Sequence, residues 1–302
     1  MSIPQSKVTA QGQISVPAEV RKRLGIGPGS VLEWHEQNGS VVVRRAGRYS
    51  SSEVHQALFP KGAPKGKSVP DVNTLLRRAK DIGALTSINH PRDATGEICM
   101  GCGWTPPGAV DMHLFGAVEA VNGGSEDAAH SGIPFWEAQL DRGFRLTGIG
   151  GSDNHRPMMP LSEAGSIGSP TTVVYAKELS ESAILEGIRA GHVFLDLSGT
   201  KDRLLEVTAK AGGSMAHMGD GLEAAKDVVV SFDVHVMKAA GGTVVLLADG
   251  KEIQAADLVV SGDDQTKHVL WTSDGRRHWI RANVKGSDGE WWLVGNPVYV
   301  NW

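Results

Sequence analysis

Apolar and polar residues follow three successive regimes along this chain. The first spans about 45 residues. QISVP alternates and predicts a strand, and PAEVRKRLG predicts a short helix with Pro17 in its first turn and Gly25 ending it. SVLEWHEQ and SVVVRR then flank Asn38-Gly39, a strong signal for a two-residue hairpin turn. A segment this small, with one short helix, cannot bury enough surface to stand alone, so a second copy is its natural partner.

Residues 46–70, AGRYSSSEVHQALFPKGAPKGKSVP, lose regular periodicity and read as a linker or long loop. The second regime alternates helix and strand. DVNTLLRRAKDIG is a helix with Asp71 as its N-cap, followed by ALTSINHP (strand), GAVEAVNGG (strand), PFWEAQLDRG (helix), FRLTGIGGSDNH (strand), TTVVYA (strand), SESAILEGIRAG (helix) and HVFLDL (strand). Such alternation predicts a parallel α/β sheet or barrel. From about Leu204 short strands are broken by Gly and Asp turns, from LLEVTAKAGG to EWWLVGNPVYVNW, the pattern of an all-β sandwich. The expected fold class is α/β plus all-β, divided into residues 1–48, a linker at 49–69, an α/β domain at 70–203 and a sandwich at 204–302.

Composition refines this picture. No run of about 18 apolar residues occurs, so no transmembrane helix and no membrane partner are expected, and the first residues lack the apolar core of a secretory signal. Two cysteines, Cys99 and Cys102, exclude a disulfide-built scaffold and point to a reducing, cytoplasmic setting. Their C-x-x-C spacing, without a second pair, reads as a loop thiol pair. The net charge of −4 hides an asymmetry: residues 1–80 hold 13 basic against 5 acidic residues, the remainder 17 against 29. A basic head on an acidic body suggests a polyanion partner for the head.

The stretch KVTAQGQISVPAEVRKRLGIGPGSVLEW resembles the AbrB/MazE/SpoVT family of swapped-hairpin DNA-binding domains. The resemblance implies two interleaved chains that present basic side chains to DNA. By position it assigns DNA-facing or nearby roles to Lys7, Gln13, Arg21 and Lys22. Gln13 stands where some members carry Arg, which lowers the positive charge.

In the body, Asp153 and His155 sit two residues apart in GIGGSDNHRP, at the end of a predicted strand, where α/β barrels collect ligands and metals. Alternate side chains of extended backbone share a face, and carboxylate with imidazole suits zinc, iron or manganese. His90 in SINHP ends another strand, and Glu119 and Asn122 in VEAVNGG a third. Together with GSPTTVVYAKELSESAILEGIRAGHVF and NPVYVN, these stretches resemble PHP-domain metallohydrolases of the CehA/McbA-like branch over about residues 70–302. That resemblance implies a distorted barrel holding two or three metals that hydrolyses phosphoesters or related bonds. It assigns His90, Asp153 and His155 as metal ligands, His55 in VHQA as a remnant ligand, and Glu119 and Asn122 as supports beside them. The His-x-His that opens such domains is absent, for no two of the eleven histidines lie two apart. The barrel is therefore expected to be partial, lacking its first strands.

Two functions follow. One is a metal-dependent hydrolase acting on a small phosphoester, with one divalent transition metal and weakened catalysis, under a DNA-binding, homodimeric head. The other is a dimeric transcription regulator or antitoxin-like protein with a non-catalytic body. Asp233 and His235 in FDVHV repeat D-x-H inside a predicted sandwich strand, where one strand face explains them. His113, His130 and His192 have no evident partners in the sequence.

Overall fold

The structure, a computed structural model, describes residues 6–10, 13–24, 26, 32–37, 39–45, 56–60, 71–93, 102–106, 108–123, 132–156, 158–163 and 165–302. His55, Cys99 and His130 lie outside these. The chain divides into two compact units, Met1–Ile82 and Gly83–Trp302.

In the first unit, helix α1 (Ala18–Leu24) begins directly after Pro17, whose carbonyl accepts from the Arg21 amide at 2.9 Å. Strands β1 (Leu32–Gln37) and β2 (Ser40–Arg45) form the expected antiparallel hairpin, with Gln37 opposite Ser40 and Gly39 at φ 72° in its turn. QISVP contributes a single bridge, Ile14 to Val8, rather than a full strand. Helix α2 (Val72–Asp81) starts as expected at Asp71, whose carboxylate accepts from the amides of Asn73 and Thr74.

The second unit is layered. Strands β3 (Ser87–Ile88), β4 (Ala117–Asn122) and β5 (Thr147–Gly151) form a parallel sheet in that order, and all six residues of β4 are buried. Helix α3 (Ile133–Asp141) connects β4 to β5 and buries Trp136 completely. A Cβ on Gly148 would stand 2.7 Å from that indole, so β5 carries glycine where the ring crosses it. Among the described residues, the parallel strands number three and form an open sheet.

Strand β6 (Thr171–Val174), helix α4 (Glu181–Ala190) and β7 (Val193–Asp196) match the predicted strand, helix and strand. Their arrangement differs from the parallel unit that the alternation predicts. β6 and β7 pair antiparallel, and β7 pairs β16 (Trp291–Gly295) on its other edge. They thereby extend an eight-stranded sheet that also holds β10 (Gly221–Leu222), β12 (Thr243–Ala248), β13 (Lys251–Glu252), β15 (His278–Lys285) and β17 (Val298–Val300). A four-stranded antiparallel sheet, ordered β14 (Asp264–Thr272), β11 (Val229–Met237), β8 (Leu204–Ala211) and β9 (Ser214–His217), covers one face.

The alternation predicted for the sandwich is visible in β8 and β11, where every second residue is buried. β15 is buried on both sides because its sheet is the middle layer. Phe194, Ile280, Leu293 and Val298 pack toward β8 and β11, whereas Val193, Leu195, Trp279 and Val294 pack with Trp136, Val118 and Leu146. The run EWWLVGNPVYVNW splits into β16 and β17 at Asn296-Pro297, since proline cannot donate to a ladder. Asn296, 1% exposed, bridges the layers: its Oδ1 accepts from the Gly148 amide at 2.8 Å, and its Nδ2 donates to the carbonyls of Gly148 and Val193, both at 2.9 Å.

Replacing Asn296 with Ala leaves those buried main-chain groups unpaired, at about 1–3 kcal/mol each. Asn296→Ala is expected to lower unfolding free energy by roughly 2–5 kcal/mol in urea, and Asn296→Asp, which faces two carbonyls with an acceptor, by more. His278 gives a pH-dependent expectation. Burial lowers its affinity for a proton, but Asp274 at 2.9 Å and Asp249 at 2.5 Å outweigh this and raise its pKa. A raised folded-state pKa means that the stabilisation is full below the unfolded histidine value near 6.5 and is lost as pH rises through the folded value. Urea titrations across that window should show a loss that shrinks in His278→Gln; an unchanged profile would remove His278 as its source.

Candidate functional site

Two regions carry the residues singled out by the sequence. In the head, Lys7, Gln13, Arg21 and Lys22 are all exposed. Gln13 is held in a tight turn, where its carbonyl accepts from the Thr9 amide at 2.8 Å and its amide donates to the Thr9 hydroxyl at 3.1 Å. Among the described residues from 6 to 43, none is buried. Val8, Trp34 and Val41 are 67%, 58% and 69% exposed. Ile14, Val16, Val20, Leu24, Trp34 and Val43 line a groove of about 960 Å³ on this surface. Val20 and Leu24, four apart on α1, present one apolar helix face to it.

In the body, the site lies beyond the carboxyl ends of β3, β4 and β5. His90 follows β3 at φ 33° and Asp153 follows β5 at φ 47°, a left-handed conformation that non-glycine residues adopt at a cost. Glu119 lies between them on β4, next to a register shift, and is 7% exposed. Its Oε2 accepts from the His90 amide at 2.7 Å and from Asn122 Nδ2 at 3.2 Å. Burial raises the Glu119 pKa, Asp153 adds to the rise, and these hydrogen bonds oppose it. A Cβ on Gly151 would come within 2.7 Å of Glu119 Oε1, so the last glycine of GIGG makes room for this carboxylate.

Asp153 Oδ1 and His155 Nε2 are paired at 3.2 Å, with the imidazole side chain 85% exposed. The His90 ring turns elsewhere. Among the described residues, one set of three or more ligand-type side chains brings its atoms within 4.8 Å of one another: His90, Asp93 and Cys102. Asp153 and His155 do not join it. Asp93 and Cys102 escaped the sequence reading, although HPRD and the C-x-x-C pair were both visible there. Cys102 is 1% exposed and held in a disulfide, a difference from the expected thiol pair.

The remaining histidines are accounted for by local contacts. His235 on β11 is held by Glu206 at 3.0 Å and Asp264 at 2.9 Å from the flanking strands. Asp233 is held by Lys210 and His268, both at 2.7 Å, which is cross-strand pairing on one face. His192, without a partner in the sequence reading, pairs Asp220 at 3.0 Å, and His113 packs edge-on against Phe144.

Residues 5–50 match the family described as antidote-toxin recognition MazE, bacterial antitoxin. The head is an AbrB/MazE-like domain. Its extent agrees with the predicted head, and the match covers none of the body. No curated protein matches the chain. Among the described residues, no helix is long and apolar enough to cross a membrane.

Gly151→Ala is expected to cost about 1–3 kcal/mol by overpacking against Glu119. That cost should shrink in a Glu119→Ala background, because neighbours in contact are not additive. Equal costs in both backgrounds, measured by urea denaturation, would break the assigned contact.

Proposed function

We propose that this chain is a dimeric DNA-binding regulator of the antitoxin type, with the nucleic-acid contacts in its head. The observation that carries the reading is the coreless head: its apolar groove is lined by α1 and the hairpin, and no described side chain from residue 6 to 43 is buried. Exposed apolar surface of that extent is stable when a second copy covers it. MazE-like domains bind DNA and form dimers. Pairing two heads doubles the cations available to phosphates, and each phosphate contact releases condensed counterion, which drives affinity. Lys7, Arg21 and Lys22 supply those charges, and Gln13 a polar contact.

The body was expected to hold a transition metal on His90, Asp153 and His155 and to cleave a phosphoester. The donor set does not fit that centre as placed: Asp153 and His155 pair with each other, while His90 offers its amide to Glu119 and its ring to Asp93 and Cys102. A catalytic zinc takes about three converging protein ligands. No hydrolytic step is assigned to the body.

Sedimentation of the full chain should give a dimer, and Val20→Asp in the groove should give a monomer. Arg21→Ala should weaken duplex DNA binding regardless of sequence. It should also flatten the slope of log affinity against log salt by about 0.9 for each phosphate that the variant leaves unneutralised. A wild-type chain that sediments as a monomer would sink the dimeric reading, and an unaltered salt slope would remove Arg21 from the interface.

A further inference from the structure

The loop after β3 returns on itself. The carbonyl of His90 accepts from the amides of Asp93 and Gly103, both at 3.2 Å, and the carbonyl of Pro91 accepts from the Trp104 amide at 2.8 Å. Gly103, at φ 79°, permits the closure, since a Cβ there would stand 2.8 Å from the Asp93 carbonyl oxygen. Trp104 fixes the returning strand by edge-on contacts with Phe115 and Phe135. This neck sets Cys102 beside His90 and Asp93.

Three properties of the resulting cluster point to a cation. Imidazole, carboxylate and sulfur atoms lie within 4.8 Å of one another. His90 Nδ1 is buried with no hydrogen-bond partner, so a polar atom is left for something else to satisfy. Burial is graded, with Cys102 fully enclosed and His90 and Asp93 half-buried, so the cluster is reachable from solvent on one side. Against this stands one chemical fact: Cys102 is in a disulfide, and a disulfide sulfur is no match for a thiolate as ligand.

We propose that His90, Asp93 and Cys102 form a redox-gated site for one zinc-class divalent cation, closed in the disulfide form and opened by a thiol reductant. A dithiol delivers two electrons and two protons, the S–S bond breaks, two cysteine thiols form, and the reductant becomes a disulfide. The Cys102 thiol then loses its proton to solvent as its sulfur bonds the metal. The chain holds one other cysteine, Cys99, which lies outside the described residues. Thiolate, imidazole and carboxylate together favour zinc over magnesium or calcium. Zinc bond lengths of about 2.0–2.3 Å put tetrahedral ligands roughly 3.3–3.8 Å apart, so the cluster needs to contract by about 1 Å, with a fourth position left open.

The test uses the full chain with zinc alone, and cobalt as a coloured substitute. Oxidised wild type should bind no zinc at this site in equilibrium dialysis, and the reduced protein about one equivalent. Cys99→Ser, which leaves Cys102 without a partner in the chain, should bind that equivalent without any reductant, a gain that misfolding cannot mimic. Cobalt bound to either form should show a thiolate charge-transfer band, absent in Cys102→Ser. His90→Ala and Asp93→Asn should weaken zinc by more than the roughly 100-fold at which loss of a ligand's hydrogen-bond partner tops out. The proposal is overturned if oxidised and reduced protein bind zinc equally, if Cys99→Ser still requires reductant, or if bound cobalt lacks the sulfur band. DNA binding enters none of these readouts.

Discussion

The side chain of Asn296 holds the two halves of the body in one register. It offers a donor and an acceptor to Gly148 and a further donor to Val193, so it fills the place of a missing strand between β5 and β7. Both neighbours are buried, and an unpaired main-chain group there would cost more than a typical hydrogen bond returns. The amide therefore fixes where the parallel sheet meets the antiparallel one. The buried faces of Val193, Leu195, Trp279 and Val294 then have a single surface to pack against. Pro297 serves the same end, because it ends β16 where Asn296 must leave the ladder.

A second consequence concerns the polar groups past the strand ends. β3, β4 and β5 run parallel, so their carboxyl ends open on one edge, and Glu119 reaches from the central strand to the backbone of its neighbour. The left-handed turns at His90 and Asp153 redirect the chain there. Such strain persists where surrounding contacts over-determine it. At His90 those contacts are the Glu119 carboxylate and the loop neck through Gly103. The same turn that presents the His90 amide to Glu119 leaves the ring with Asp93 and Cys102 rather than with Asp153 and His155.

Head and body solve the problem of burial differently. The body encloses two apolar clusters within one chain, one on each side of its middle sheet. The head, with one helix and one hairpin, has too little chain to enclose any. Its apolar residues remain at the surface, on the groove side of α1 and of the hairpin. The cations Arg21 and Lys22 stand on that same short helix. Association and charge presentation are thus coupled through seven residues.

Much of this was legible in the sequence, and the reason is local. Period-two alternation marked β8 and β11, Asn38-Gly39 marked the hairpin, Asp71 marked the start of α2, and Gly191 closed α4 at φ 76°. Each signal depends on neighbours a few residues away. The head's family was legible for the same reason, since its motif is contiguous. Pairing was not. TTVVYA and HVFLDL read as strands, but nothing within them says that they join antiparallel to a strand about a hundred residues later, as β7 does with β16. Nor could D-x-H spacing reveal that Asp153 and His155 would satisfy each other while His90 turned to Asp93 and Cys102. By itself the sequence determined the elements, their burial pattern and the basic, self-associating head. The tertiary structure alone decided which strands share a sheet and which side chains share a site, because those choices depend on buried faces and unpaired amides meeting across the chain, as Asn296 meets Gly148 from 148 residues away.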